Sequence, residues 1–164
     1  MSETDNPSPP ELSLVIPVYN GSKTIAGLID GLVRLDVSGE FEIVLVNDGS
    51  EDNSAEICRE IVAQSKANII FLDLTRNFGE HNAVLTGLRH TSGRYVVTMD
   101  DDFQNAPAEV AKLYPYPKAN DFDVVYTRFH KKQHSTFRNL GSKFANFPAD
   151  LVLNKPKGLY LSSF

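Results

Sequence analysis

Short apolar runs rich in β-branched residues alternate along this chain with segments of helical periodicity. The runs have the length and composition of buried strands, and they cover residues 12–18, 42–47, 68–74, 95–99 and 124–127. Strands separated by helical patterns of about 10–15 residues are typical of βαβ units. The predicted fold class is therefore α/β, with a Rossmann-like, mostly parallel sheet flanked by helices.

Three helices are predicted between the strands from their apolar faces and capping residues. The first is expected to begin at a cap formed by Ser22 and to end near residue 34. The second begins at a cap formed by Ser50 or Asp52 and ends near residue 65. The third covers residues 79–90.

Composition limits the classes of protein that this chain can belong to. Its 164 residues suit one domain with a real core over residues 11–164, after a polar lead-in at 1–10 that is predicted to be disordered. The net charge of −5 argues against a nucleic-acid partner. The single cysteine, Cys58, excludes a disulfide framework. No apolar run reaches the roughly 18 residues of a membrane span, so we expect a soluble chain.

An acidic triplet follows the fourth predicted strand and is the strongest functional signal. Asp100, Asp101 and Asp102 stand where an open α/β sheet binds its ligands. If strand geometry persists, Asp100 and Asp102 leave the same face. Hard divalent cations such as Mg²⁺ and Mn²⁺ prefer oxygen ligands. The triplet therefore predicts a metal site, and a solvated acidic turn is the plainer alternative.

Polar residues also follow the other predicted strands. Tyr19 and Asn20 end the first strand, Asp48 ends the second, and Arg76 and Asn77 follow the third. Each group alone is typical of an ordinary turn. Because parallel strands share one direction, these groups should converge on one edge of the sheet, which predicts a ligand site there.

The glycine pattern excludes two common ways of binding nucleotides. Neither a Gly-x-Gly-x-x-Gly fingerprint nor a Gly-x-x-x-x-Gly-Lys loop is present. Phosphate binding must then come from a metal ion and basic side chains. The candidate basic side chains follow the fifth predicted strand: Arg128, Lys131, Lys132, Arg138 and Lys143. For any one of them, a position in a solvated basic loop is the simpler interpretation.

Three motifs together resemble glycosyltransferase family 2, whose nucleotide-sugar-binding fold is called GT-A. They are SLVIPVYN at 13–20, IVLVNDGS at 43–50 and DDD at 100–102. Further motifs, at 76–83, 100–104 and 137–142, are similar to polyprenyl-phosphate glycosyltransferases. The likeness is greatest to bacterial undecaprenyl-phosphate sugar transferases, including the aminoarabinose-transferring type, and weaker to dolichol-phosphate mannose synthase.

The resemblance implies an enzyme that transfers a sugar, with inversion, from a nucleotide-sugar to a polyprenyl (undecaprenyl) phosphate in cell-envelope glycan or lipid modification. A UDP-sugar is the expected donor, and GDP-mannose is the alternative. A non-catalytic nucleotide-sugar-binding fragment is a second alternative. A metal-dependent phosphohydrolase is disfavoured, because residues 17–19 offer no nucleophilic aspartate at the end of an early strand.

The resemblance also assigns roles to individual residues. Nucleotide-binding roles fall to Pro17, Tyr19, Asn20, Asp48, Asp100 and Asp101, with Asp48 hydrogen-bonding the base and the last two beside the ribose and diphosphate. Asp102 and Gln104 would hold Mg²⁺ or Mn²⁺, and phosphate binding falls to Arg128, Lys131 and Arg138. Asp102 or Asp101 would orient the acceptor in catalysis. His81 and His90 are tempting bases, but we expect structural hydrogen bonds for both.

Two features of the chain depart from the family pattern. Asp101 stands where relatives often carry a small residue such as alanine. The last residues, 159–164, resemble the middle of a family motif, so we expect a truncated domain whose acceptor and membrane parts are absent. The full-length protein would then lie at the cytoplasmic face of the inner membrane. An unpaired strand edge would favour homo-oligomers.

Overall fold

A computed structural model of the chain describes residues 9–37, 39–102 and 106–125. The chain divides after Asp123 into two units, and all of the described residues except Val124 and Val125 belong to the first. The strands of this unit are β1 (Leu12–Val18), β2 (Phe41–Asn47), β3 (Asn68–Asp73) and β4 (Tyr95–Thr98). They form a parallel sheet in the order β3-β2-β1-β4. The predicted α/β class with a mostly parallel sheet is confirmed.

β1 lies at the centre of the packing, and every one of its residues is buried. Its register with β2 runs from Leu12 opposite Phe41 to Val18 opposite Asn47, so the two strands end at the same level. Burial on both faces explains the continuous apolar runs seen in the sequence. All four strands therefore direct their carboxyl ends to one edge, which is where a ligand site is expected.

Five helices lie between and after the strands of the described unit: α1 (Ile25–Leu32), α2 (Ser54–Gln64), α3 (Glu80–Leu88), α4 (Pro107–Leu113) and α5 (Pro115–Asn120). α3 packs on β1 and β2, α2 packs on β2 and β3, and α1 contacts α2 and α4. Gly87 lets α3 approach the sheet, because a Cβ there would lie 2.4 Å from Cγ1 of Val15. None of the helices within the described ranges is long and apolar enough to cross a bilayer.

The predicted helix starts were wrong for two helices. α1 begins at Ile25, since residues 22–24 form a turn and the Ser22 N–H donates to Oδ2 of Asp52 instead of opening the helix. The N-cap position of α2 is Asn53, so neither Ser50 nor Asp52 occupies it. The predicted fifth strand reaches beyond the described residues, and its first two residues, Val124 and Val125, form no strand.

A buried hydrogen-bond network joins the amino-terminal ends of three strands. Glu42 is 2% exposed, and its Oε1 accepts hydrogen bonds from Oγ of Ser13 and from the Ser92 N–H, both at 2.6 Å. The Gly93 N–H in turn donates to Oγ of Ser13 at 2.9 Å. Burial alone raises the pKa of Glu42, but these hydrogen bonds outweigh it and hold the pKa below its ordinary value. The charged carboxylate therefore fixes the sheet at the edge opposite the candidate site.

Candidate functional site

A cavity of about 300 Å³ opens at the carboxyl edge of the sheet. Its lining comes from the ends of β1, β2 and β4 and from the beginning of α3: Pro17, Val18, Tyr19, Asp48, Asn77, Gly79, Glu80, Asp100, Asp101 and Asp102. The polar residues after separate strands thus meet in one place, as the parallel topology requires. A larger cavity of about 720 Å³, lined by Pro10, Phe41 and Asn68 among others, lies at the amino edge, where open α/β sheets do not usually bind ligands.

Asp48 holds the loop that forms one wall of the cavity. Asp48 is 2% exposed, and its carboxylate accepts the Phe78 N–H on Oδ1 at 2.8 Å and the Gly79 N–H on Oδ2 at 2.9 Å. The next residue, Gly49, has a φ of +63°, and a Cβ there would lie 2.2 Å from the carbonyl carbon of Arg76. The turn after β2 therefore both bonds the 76–79 loop and leaves room for its backbone. These hydrogen bonds between Asp48 and the 76–79 loop could not be predicted from the sequence.

The 76–79 loop brings Asn77 into the cavity wall and carries a stacked pair of side chains. The guanidinium carbon of Arg76 lies 4.9 Å from the centroid of the Phe78 ring, which is within the range of a cation–π interaction. Phe78 is 44% exposed. This contact places a positive charge on the loop that Asp48 holds.

A second set of hydrogen bonds locks the turn after β1 to the turn after β2. The Asn20 N–H donates to Oγ of Ser50 at 3.0 Å, and the Glu51 N–H donates to Oδ1 of Asn20 at 2.9 Å. The Ser22 N–H donates to Oδ2 of Asp52 at 3.1 Å. Asn20, with a φ of 54°, thus holds the turn beside the cavity.

Hydrogen bonds hold the pKa of Asp52 below its ordinary value. Burial raises the pKa of Asp52, but hydrogen bonds from Ser54 and Ser22 outweigh this and lower the pKa to about 2. The N–H and hydroxyl of Ser54 both donate to Oδ1, while the Ser22 N–H donates to Oδ2. A single carboxylate therefore connects the start of α2 with the turn that precedes α1.

The acidic triplet leaves the strand geometry on which its predicted alternation depends. β4 ends at Thr98, and the Met99 N–H extends the pairing by one bond to the Val15 carbonyl at 3.1 Å. Asp101 and Asp102 lie in a bend. Asp102 is exposed, whereas Asp100 and Asp101 are half-buried. The expectation of two carboxylates on one strand face therefore does not apply, although all three residues line the cavity.

The Asp101 carboxylate is directed toward Gly21 and is poorly solvated. Its Oδ2 is buried and has no hydrogen-bond partner in the part of the chain that the structure describes. Burial, followed by the negative charges of Asp102 and Asp100, raises the pKa of Asp101 from 3.8 to about 6. Three carboxylates this close together repel one another in the absence of a cation.

Several predicted site residues lie outside the described ranges: Gln104, Arg128, Lys131 and Arg138. Within the described ranges, no group of three or more His, Cys, Asp and Glu side chains is arranged so that it could hold a metal ion. Nδ1 of His90 lies 2.8 Å from the Thr86 carbonyl, which is the structural hydrogen bond expected for that residue. His81 is exposed on α3.

The parallel sheet, its flanking helices and the acidic end of β4 are features of the GT-A class of α/β domain. A sequence profile of that class, glycosyl transferase family 2, matches residues 13–161, and the chain belongs to this family.

Curated relatives confirm the resemblance to undecaprenyl-phosphate sugar transferases. The undecaprenyl-phosphate 4-deoxy-4-formamido-L-arabinose transferase of Pectobacterium carotovorum subsp. carotovorum (strain PC1) is 39% identical over 137 residues, covering 82% of this chain and 42% of the relative. The transferase of the same name from Proteus mirabilis (strain HI4320) is 36% identical over 152 residues, covering 92% and 46%. The chain therefore spans less than half the length of these relatives.

Solved structures confirm the fold. S. aureus TarS 1-349 matches with a TM-score of 0.61 at 24% identity, over 74% of this chain and 38% of that chain. The same protein in complex with UDP matches at 30% identity with a TM-score of 0.51, over 56% and 27%. The mannosyltransferase PcManGT from Pyrobaculum calidifontis, solved with GDP-Man and Mn²⁺, matches at 24% identity with a TM-score of 0.51, over 57% and 28%.

Proposed function

We propose that this chain is the nucleotide-sugar-binding domain of a glycosyltransferase that uses a UDP-sugar as donor and a polyprenyl phosphate, such as undecaprenyl phosphate, as acceptor. The observation that carries the proposal is the convergence of Asp48 and the acidic triplet in one cavity at the carboxyl edge. The names of the relatives support the acceptor, and the UDP complex of TarS supports the donor.

In this proposal the donor nucleotide lies against the ends of β1 and β2. Tyr19 is 46% exposed beside Pro17 and offers an aromatic surface to the base. Each oxygen of Asp48 accepts one backbone N–H and retains a lone pair that can accept a donor group of the base. Asp100 stands beside the ribose. Asn20 supports the pocket through the turn that it holds.

The residues of the cavity fit a divalent cation that shares its coordination with the donor. Mg²⁺ is usually held by one or two carboxylates together with substrate phosphates. No group of three or more His, Cys, Asp and Glu side chains that could hold a metal ion lies within the described ranges, so the donor phosphates would have to supply part of the coordination. Asp102 would hold the ion with Gln104, and either Mg²⁺ or Mn²⁺ suits oxygen ligands. The ion would neutralise charge on the leaving diphosphate.

The acceptor needs little activation in the proposed reaction. A phosphate monoester has a second pKa near 6 and is mostly dianionic at neutral pH. One of its oxygens attacks the anomeric carbon as the bond to the diphosphate breaks, so the configuration inverts and the nucleoside diphosphate departs. Asp102 would orient the acceptor, whereas Asp101, the other residue expected in this role, directs its carboxylate toward Gly21. The phosphates would meet the basic residues that follow the described ranges: Arg128, Lys131 and Arg138.

An undecaprenyl phosphate acceptor would bring the protein to a membrane. Undecaprenyl phosphate is a membrane lipid, so we propose a location at the cytoplasmic face of the inner membrane. Within the described ranges β4 pairs only with β1. A strand edge of this kind favours pairing with another chain, which is the basis for proposing a homo-oligomer.

A transfer assay tests the proposed function. The chain is incubated with undecaprenyl phosphate and Mn²⁺, and with either a panel of radiolabelled UDP-sugars or GDP-mannose, and label in the lipid fraction is counted. Label transferred from a UDP-sugar supports the proposal. Transfer from GDP-mannose alone would show that the donor is GDP-mannose and not a UDP-sugar. Binding of a nucleotide-sugar without transfer would favour the alternative of a binding domain that is inactive by itself.

A further inference from the structure

The position of the Asp101 carboxylate depends on the absence of a side chain at Gly21. An ideal Cβ built on Gly21 would lie 1.9 Å from Oδ2 of Asp101 and 3.0 Å from its Cγ. The same Cβ would lie 3.3 Å from Cγ1 of Val18. Any residue other than glycine at this position would therefore displace the carboxylate or the turn.

The turn that contains Gly21 is held on both sides and has little freedom to move. Before Gly21, the Asn20 N–H and side chain bond the turn after β2. After Gly21, the Ser22 N–H bonds Asp52. The Gly21 carbonyl accepts the N–H groups of Thr24 and Ile25 at the entry to α1. A Cβ at this position would therefore displace the Asp101 side chain rather than the backbone.

A displaced Asp101 carboxylate would enter the donor cavity. Asp101 already lines this cavity together with Asp100 and Asp102. Turning its carboxylate away from Gly21 would bring a third negative charge toward the place where the diphosphate is proposed to bind. Two anions at close range in a partly buried site repel each other strongly.

We propose that Gly21 is a positioning residue for the donor site, because its lack of a side chain keeps the Asp101 carboxylate out of the space that the diphosphate and its metal ion occupy. Gly21 and Asp101 form a matched pair, and the acid is compatible with the site only while position 21 is glycine. This inference depends on the proposed function, since it concerns how the same cavity accepts a nucleoside diphosphate.

A double-mutant cycle tests the pair by titration calorimetry with UDP in the presence of Mn²⁺. Gly21→Ala in the natural chain should weaken UDP binding by about tenfold or more, the effect of an added negative charge near the ligand. In the Asp101→Ala background the same change should alter the affinity less than about twofold, because no carboxylate remains to be displaced. If Gly21→Ala instead distorted α1 in general, it would weaken UDP binding equally with and without Asp101→Ala.

Gly31→Ala is the matched control. Gly31 lies on α1, and a Cβ there would lie 2.9 Å from the Pro107 ring, so it crowds α1 without approaching Asp101. The effect of Gly31→Ala on UDP affinity should be the same with and without Asp101→Ala. If Gly21→Ala does not fold, the double variant takes its place. Recovery of both folding and UDP binding on adding Asp101→Ala supports the pairing, and failure to recover overturns it.

The outcomes separate the two proposals. If the natural chain does not bind UDP with Mn²⁺, the donor assignment itself is wrong. If the natural chain binds UDP but Gly21→Ala weakens binding equally in both backgrounds, or in neither, the proposed function stands and the role of Gly21 is wrong.

Discussion

The N–H of Gly79 donates a 2.9 Å hydrogen bond to the buried carboxylate of Asp48, which connects the end of β2 directly to the start of α3. The neighbouring Phe78 N–H bonds the other oxygen at 2.8 Å. One wall of the candidate site is therefore held in place by a residue that also lines the cavity. Changes at Asp48 should affect stability and binding together.

Asp48→Ala should weaken UDP binding by about 1–3 kcal/mol, the usual effect of losing a charge-assisted hydrogen bond in a partly buried site. The variant should still fold, with a lower Tm because the Phe78 N–H loses its acceptor and the Gly79 N–H keeps only Oδ1 of Asn77. Calorimetry and thermal melts measure the two effects. Asp48→Asn keeps one acceptor oxygen, so its Tm and its UDP affinity should lie between those of Asp48→Ala and those of the natural chain. A lower Tm with unchanged UDP affinity would show that Asp48 only holds the loop.

Asp102→Asn should nearly abolish the stabilisation by Mn²⁺ and UDP, because it removes a charged ligand of the proposed ion. Asp101→Ala should cause a much smaller loss, since that carboxylate is directed toward Gly21. Without metal, either change should raise the Tm slightly by relieving repulsion among the three acids. Thermal melts with and without Mn²⁺ provide the comparison. If the two variants lost the stabilisation by Mn²⁺ and UDP to the same extent, the ion would not be held mainly by Asp102.

Asp52 should make folding stability depend on pH in acid. Its pKa is lowered from 3.8 to about 2 in the folded chain, so the unfolded chain binds the proton more readily. The stabilisation is complete above the unfolded value and is lost as the pH falls through the folded value. The stability difference between the natural chain and Asp52→Asn, measured by urea unfolding, should therefore shrink from about pH 4 toward pH 2. Glu51→Gln, an exposed neighbour, is the control, and a difference independent of pH would contradict the assignment.

Gly87→Ala should destabilise the fold by about 1–3 kcal/mol through overpacking. The added Cβ would lie 2.4 Å from Cγ1 of Val15 and 3.1 Å from Cγ2 of Val46. Val15→Ala in the same chain should recover part of this loss by making room under α3. Urea unfolding of the two single variants and the double variant measures the coupling. If the losses of unfolding free energy from the two single variants simply added in the double variant, α3 would instead have moved away from the sheet.

Much of the sheet was predictable because buried parallel strands are continuous apolar runs. The first predicted strand has the bounds of β1, and the predicted starts of β2 and β3 lie within one residue of the observed ones. The helix starts were less predictable, because serine and aspartate bond backbone groups in turns as readily as at caps. Asp52 shows this, since its side chain bonds both Ser22 and Ser54.

α4 and α5 were not predicted, and their prolines explain why. Pro107 and Pro115 suggest a loop in a sequence, but each stands at the first position of its helix, where a missing N–H does no harm. In the candidate site, the sequence indicated which residues meet at the carboxyl edge. It did not indicate that Asp48 bonds the 76–79 loop or that Asp101 lies against Gly21, because both depend on contacts between distant segments.

Titration of the chain with UDP, first with Mn²⁺ and then after EDTA treatment, tests the central claim most directly. The account predicts saturable binding of one UDP per chain with Mn²⁺ and much weaker binding without it, because the acidic end of β4 repels the diphosphate unless a cation lies between them. Equal affinity in the two conditions would contradict the metal role of Asp102. No binding in either condition would contradict the assignment of the cavity as a nucleotide-sugar site.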